Sequence, residues 1–404
     1  MKGIGKFFFI CFVLGIIAWI PLEAQKIAKG AHIKFPSDLR VGAEQMQLYL
    51  PLLKGKSIAI VANQTSMIGK THLVDTLKSK GVHIQCIFAP EHGFRGEKGN
   101  GDSVASGIDL KTGIKIVSLY GKHKKPTQQD LSGVNIVLFD IQDVGARFYT
   151  YISTLQYVME ACAEQKKFLI LLDRPNPNGF YIDGPVLDTT YRSFVGLKQI
   201  PIVHGMTMGE YARMLNGEKW LNKGRQCRLK VIQVRNYSHS DLYQLPVYPS
   251  PNLPNMNAVY LYPSVCLFEG TQVSLGRGTN HPFEVIGYPG YAGGTIQFKP
   301  VNIPGVATNP PYRDTLCSGL DLQDLTNDSI STRLDLHWLR QLYMSYPDKS
   351  AFFKPYFENL AGTVTLRNSI VGGDSDSQIR DSWQLGINRF KEKRKKYLLY
   401  TDFE

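Results

Sequence analysis

Five apolar runs recur in the first half of the chain, and four of them end in polar side chains. They are SIAIVANQTS (57–66), HIQCIFAPEH (83–92), KIVSLYG (115–121), NIVLFDIQD (135–143) and KFLILLDRPNPNG (167–179). Runs this continuous, rich in β-branched and aromatic residues, predict strands buried on both faces. Helical spacing intervenes at about 70–80 and at 151–165, where Ile152, Leu155, Val158, Met159 and Cys162 fall on one face. Strands alternating with helices predict a parallel sheet in an α/β fold, with a ligand crevice outside the carboxyl ends of the strands. Asn63, Gln64, Glu91, Asp140, Asp143, Asp173, Arg174 and Asn176 stand at those ends.

The texture changes after residue 180. MTMGEYARMLNGEKWL (206–221) predicts a helix with Thr207 as N-cap, and CRLKVIQVRNY (227–237) predicts a strand. Residues 248–290, dense in Pro, Gly, Asn and aromatics, read as ordered loops with short strands, and long structured loops usually belong to sites. Further on, the pattern predicts strands near 294–299 and 362–367 and helices near 335–346 and 381–396. A chain of 404 residues exceeds one ordinary core. The expected division is a leader at 1–24, an α/β domain at 25–262 and a smaller α+β domain at 263–404.

The leader follows from Lys2 and Lys6 before the apolar run 7–20, with Ala24 before Gln25 as a cleavage point. This is a secretory pattern, and the run is short for a membrane span, which needs about twenty residues. Retention as an anchor is the alternative. The chain is thus expected to be exported, periplasmic or secreted. Five cysteines follow the leader, widely spaced and without a CxxC, which argues against a disulfide framework. The formal charge of +12 suggests an anionic partner, and export argues against nucleic acid. Much of the charge sits in RFKEKRKKY (389–397), which reads as a solvated helix face.

No P-loop, G-x-S-x-G or H-E-x-x-H motif is present, and GNGDSV (99–104) lacks the third glycine of a dinucleotide fingerprint. His92, His204 and His281 are scattered, and no metal or cofactor is expected. Acid–base chemistry points first to Glu91, beside His92 and Arg95. In FDIQDVGARFYTY (139–151), Asp140 and Asp143 bracket a strand end. Arg147, Tyr149 and Tyr151 would share one side of an extended segment. Arg forks suit carboxylates, and Tyr faces suit sugar rings or plain packing. The loop 267–287 adds Glu269, Thr271, Ser274, Arg277, Thr279, His281 and Glu284, of which Glu269 and Arg277 could instead form an internal ion pair. Asn176, Asn252 and Asn255 could orient a polar ligand or cap turns.

Five stretches, PEHGFRG (90–96), FDIQDVGARFYTY, DRPNPNG (173–179), PSPNLPN (249–255) and FEGTQVSLGRGTNHPFE (268–284), resemble the family once called domain of unknown function 1343. That family is associated with exo-β-N-acetylmuramidases, glycoside hydrolase family 171. The resemblance spans nearly the whole chain after the leader. It implies a Rossmann-like parallel-sheet domain, a smaller C-terminal domain and an active site in the cleft between them. It also implies release of terminal N-acetylmuramic acid from non-reducing ends of peptidoglycan fragments, with Glu91 of P-E-H-G as catalytic glutamate. A second carboxylate is expected at Asp143, with Asp140, Glu269 and Glu284 behind it, unless the substrate's acetamido group replaces it. Arg147 or Arg277, with Arg95 third, would bind the lactyl carboxylate. His92, Tyr149, Tyr151, Asn176, Asn252 and His281 complete the expected binding set. A glycan-binding protein without turnover and an ester or phosphate hydrolase are the rival readings. Oligomeric state stays open.

Overall fold

The apolar runs become strands of one sheet because alternate residues in each find a different core. Ala59, Val61, Cys86, Phe88, Val137, Phe139, Leu169 and Leu171 enter one hydrophobic cluster, whereas Ile58, Ile60, Ile87, Ala89, Ile136, Leu138, Ile170 and Leu172 enter another. This parity split is what a strand with two covered faces requires. The structure, a computed structural model, describes residues 39–96, 106–325 and 330–404. The expected leader and the GNGDSV stretch lie outside the described residues, which all belong to one compact unit.

The first part of the chain runs α1 (Leu50–Leu53), β1 (Ser57–Ala62), β2 (Met67–Ile68), β3 (Thr71–His72), α2 (Leu73–Ser79), β4 (His83–Ala89), β5 (Gly107–Ile108), β6 (Lys115–Ser118), β7 (Ile136–Asp140), α3 (Tyr151–Glu164), β8 (Phe168–Leu172), α4 (Met208–Gly217) and β9 (Arg228–Ile232). Strands pair in the order β5-β6-β4-β1-β7-β8-β9, parallel except at the edge pair β5–β6. The chain leaves β1 to one side for β4 and β6, then returns across it for β7, β8 and β9. This is the Rossmann strand order, and it opens a crevice where the direction reverses. Helix α4 starts where expected: Thr207 Oγ1 accepts from the Glu210 amide and Glu210 Oε2 accepts from the Thr207 amide, a reciprocal cap.

The second part holds α5 (Met256–Val265), a three-stranded antiparallel sheet of β10 (Val285–Tyr288), β11 (Ile296–Phe298) and β12 (Cys317–Asp321), and helices α6 (His337–Ser345), α7 (Phe357–Ala361), α8 (Thr365–Gly372) and α9 (Asp376–Lys395). All five cysteines after the leader are free and buried.

Two stretches differ from expectation. Residues 362–367 are not a strand: Gly362 closes α7 in the left-handed region, and α8 then buries Leu366 and Ile370, four apart on one helix face. Residues 256–265 form α5 rather than loop, although Pro263 lies inside it. Asn255 caps its start through the Ala258 amide. Proline deprives the Val259 carbonyl of its usual donor, and Asn178 Nδ2 supplies one at 3.1 Å while also reaching Val144 O at 2.9 Å. Asn178→Ala removes the donor from both buried carbonyls. It should destabilise the fold by about 2–4 kcal/mol, read as a lower denaturation midpoint, with Asn178→Asp no better.

Candidate active site

Three strand exits meet at one cavity of about 510 Å³. The exit of β4 supplies Glu91 and His92, that of β6 supplies Tyr120, Gly121 and Lys124, and that of β7 supplies Phe148, Tyr149, Thr150 and Tyr151. Residues beyond 250 close the space, among them Tyr262, Glu269, Arg277 and Tyr356. Its walls therefore come from both the 25–262 and the 263–404 portions of the chain.

Glu91 is buried, 7% exposed, at the end of its strand. Pro90 ends the sheet pairing, and the next two residues, His92 and Gly93, both take positive φ (71° and 80°). A left-handed His costs about 1 kcal/mol or more, and such strain gathers where a side chain must be aimed. Thr150 stands at the N-cap of α3, yet its hydroxyl does not cap the helix; it donates to Glu91 Oε2 at 2.7 Å. The carboxylate thus lies by a helix N-terminus, where the macrodipole favours negative charge. Tyr149 and Tyr151 pack edge to face with centroids 4.9 Å apart. Burial, with the Glu91 charge adding to it, holds both phenols well above the usual tyrosine range. The Tyr151 hydroxyl accepts from Asn63 Nδ2 and donates to Pro249 O.

Of the residues expected to bind ligand, His92, Tyr149, Tyr151, Glu269 and Arg277 line the cavity. Arg277 closes on Glu269 through Nε (3.1 Å) and Nη2 (2.5 Å), while its buried Nη1 has no hydrogen-bond partner. The others are placed elsewhere. Arg147 is fully buried, because 147–150 is a turn and not the extended segment expected. Its guanidinium donates to Pro185 O, Ile200 O and Leu360 O, and burial pushes its pKa down to about 9. Asp140 forms a buried pair with Arg174. Arg95 is a fork on Asp109 and also reaches Asp75. Asn176 and Asn252 donate to Met206 O and Val306 O. His281 is exposed, 3.8 Å from Glu284, and Glu284 accepts from Asn255 and Asn257.

Asp143 does not line the cavity either. Its Oδ2 accepts from the Gly145 amide at 2.8 Å, its Oδ1 has no partner, and burial, opposed by the Gly145 and Val144 amides, pushes it up to about 7. Tyr120, Lys124, Thr150, Phe194 and Tyr356 line the cavity without having been singled out from the sequence. The signal for the first two was available, since 115–121 reads as a strand and its exit faces the same edge. Among the described residues no group of three His, Cys, Asp or Glu side chains is placed to hold a metal ion.

The N-terminal part of the exo-β-N-acetylmuramidase NamZ family matches residues 58–257, and its C-terminal part matches 260–400. The chain is 39% identical over 373 residues to the peptidoglycan β-N-acetylmuramidase NamZ of Bacillus subtilis (strain 168), covering 87% of this chain and 89% of that one. Two crystal structures of DUF1343 family proteins from Bacteroides fragilis NCTC 9343 share the fold. One has a TM-score of 0.84 at 49% identity and covers 91% of this chain and all (100%) of its own. The other has a TM-score of 0.77 at 27% identity, with 90% and 99% covered. With both of its parts matched in order along nearly the whole described chain, the protein belongs to the exo-β-N-acetylmuramidase NamZ family.

Proposed function

We propose that the chain is an exo-acting glycosidase that removes terminal N-acetylmuramic acid from the non-reducing ends of peptidoglycan fragments, outside the cytoplasm after loss of residues 1–24. Glu91 carries this reading: it is a buried carboxyl on the wall of the large cavity, aimed by a strained backbone and held by Thr150. Its role is to protonate the departing glycosidic oxygen and then to take a proton from the attacking water. Tyr356, 41% exposed on the cavity wall, offers aromatic surface to the pyranose ring.

A glycosidase usually has a second carboxyl near the first. Among the described residues Glu269 is the other acid on the cavity wall, and it is matched by Arg277. Asp143 stands outside the wall and keeps a proton up to about pH 7. We therefore assign the attack on the anomeric carbon to the substrate's own 2-acetamido oxygen, with Glu91 as the one protein group that transfers protons. The leader residues 2–24 and the basic charge support an extracytoplasmic, anionic substrate. Among the described residues no helix is long and apolar enough to cross a membrane.

Purified residues 25–404 should release the chromophore from a chromogenic N-acetylmuramide. Glu91→Gln should reduce kcat by about a thousandfold or more while substrate still binds. Retained turnover in that variant would refute the role of Glu91, and binding without any turnover by the parent chain would favour the glycan-binding reading. Asp143 gives a second expectation. Its folded pKa of about 7 exceeds the ordinary carboxyl value of 3.8. The folded state therefore holds the extra proton between those values, and stability falls as pH rises through that window. Thermal midpoints measured from pH 4 to 7.5 should decline less steeply in Asp143→Asn, and that variant should keep most of its turnover.

A further inference from the structure

Among the described residues two cations, Arg277 and Lys124, line the cavity, and they differ in what balances them. Arg277 is matched by Glu269 at 2.5 Å. Lys124 has no carboxylate partner among the described residues; its ammonium rests 4.6 Å from the ring centroid of Phe194. With Glu269 matched by Arg277, Lys124 is the lining cation without a carboxylate partner among the described residues, and so the one open to an anionic ligand. We propose that Lys124 is the specificity-determining residue that selects an anionic sugar, by meeting the lactyl carboxylate of N-acetylmuramic acid. The inference rests on the exo-muramidase reading above and names the residue behind its substrate choice.

The loop is built to present this side chain. Gly121 turns the chain out of the strand exit with φ 74°. On one side of Lys124, His123 Nε2 lies 3.1 Å from Asp130. On the other, Lys125 reaches Glu164 at 2.8 Å and Glu160 at 3.5 Å, both on α3. Lys125 is tied to protein acids, His123 lies against one, and Lys124 alone of the three reaches the cavity wall. Phe194 is itself supported by Tyr157 of α3, whose ring is nearly parallel (6°) with centroids 6.1 Å apart. An ammonium over a ring keeps its charge and loses some mobility, so less freedom remains to be lost when an anion arrives. Arg277 can add one N–H through Nη1, but its charge is spent on Glu269. Arg147 and Arg95, the other cations expected here from the sequence, serve carbonyls and Asp109 instead.

The test compares a chromogenic N-acetylmuramide with the methyl ester of its lactyl carboxyl, which keeps the shape and removes the charge. The parent chain should prefer the free acid by about tenfold to a hundredfold in kcat/KM, mostly through KM, and added salt should erode that preference. Lys124→Met keeps the apolar stem over Phe194 and should lower kcat/KM for the free acid to about that for the ester, which abolishes the preference. Lys124→Arg should restore most of it. Equal losses on both substrates, or a preference that survives in Lys124→Met, would overturn the inference while Glu91→Gln still stops turnover. Failure of the parent chain to cleave either compound would instead overturn the exo-muramidase reading, and the inference with it.

Discussion

A guanidinium with no acid beside it holds the two portions of the chain together behind the cavity. Arg147 sits fully buried and donates to the carbonyls of Pro185 and Ile200, on two neighbouring stretches that pair with each other, and to that of Leu360, far along the chain. Leu360 and Tyr356 belong to the cavity wall, so this side chain helps to fix the wall's position, together with the Asp188 amide, which donates to Gly362 O. Gly362 shows how closely the parts fit: a Cβ there would stand 2.5 Å from Arg147 Nη2. A cation buried among neutral carbonyls is tolerable only while every carbonyl stays in place, because the desolvated charge has no other stabilising partner. The arrangement resists opening for that reason, and it makes the cavity a feature of the folded chain and not of a flexible junction.

The same logic explains which parts of the structure could be read from the sequence. The sheet was legible because both of its faces are covered, which forces long apolar runs with no polar interruption. The capped start of α4 was legible because its signals are local. Helix α5 was not, since Pro263 is acceptable only because Asn178, some eighty positions earlier, stands in for the missing amide. The 362–367 stretch misled for a related reason: Val364 and Thr365 favour strands, but the packing of Leu366 and Ile370 overrides that weak preference.

The candidate site was partly legible. A polar residue at a strand exit reads the same whether it serves a ligand or the protein. Glu91 reaches the cavity, whereas Asp140 and Arg174 neutralise each other and Asp173 accepts from Thr207 and Tyr400. Only partners brought in by the fold distinguish the cases. Lys124 escaped notice because it stands among other lysines, and the acids that occupy its neighbour Lys125 lie on α3, some forty positions on and out of reach of any local pattern.

The buried thiols carry a consequence of another kind. Cys86, Cys162, Cys227, Cys266 and Cys317 are all free and enclosed, so no disulfide among them restricts the unfolded chain and non-covalent contacts sustain the native state. When such a chain opens, it exposes five thiols together. In an oxidising medium any of them can couple wrongly before the chain recloses, which turns a reversible opening into a permanent loss. The working lifetime of the protein there is then governed by how rarely it opens, a rate, rather than by how strongly equilibrium favours the folded form.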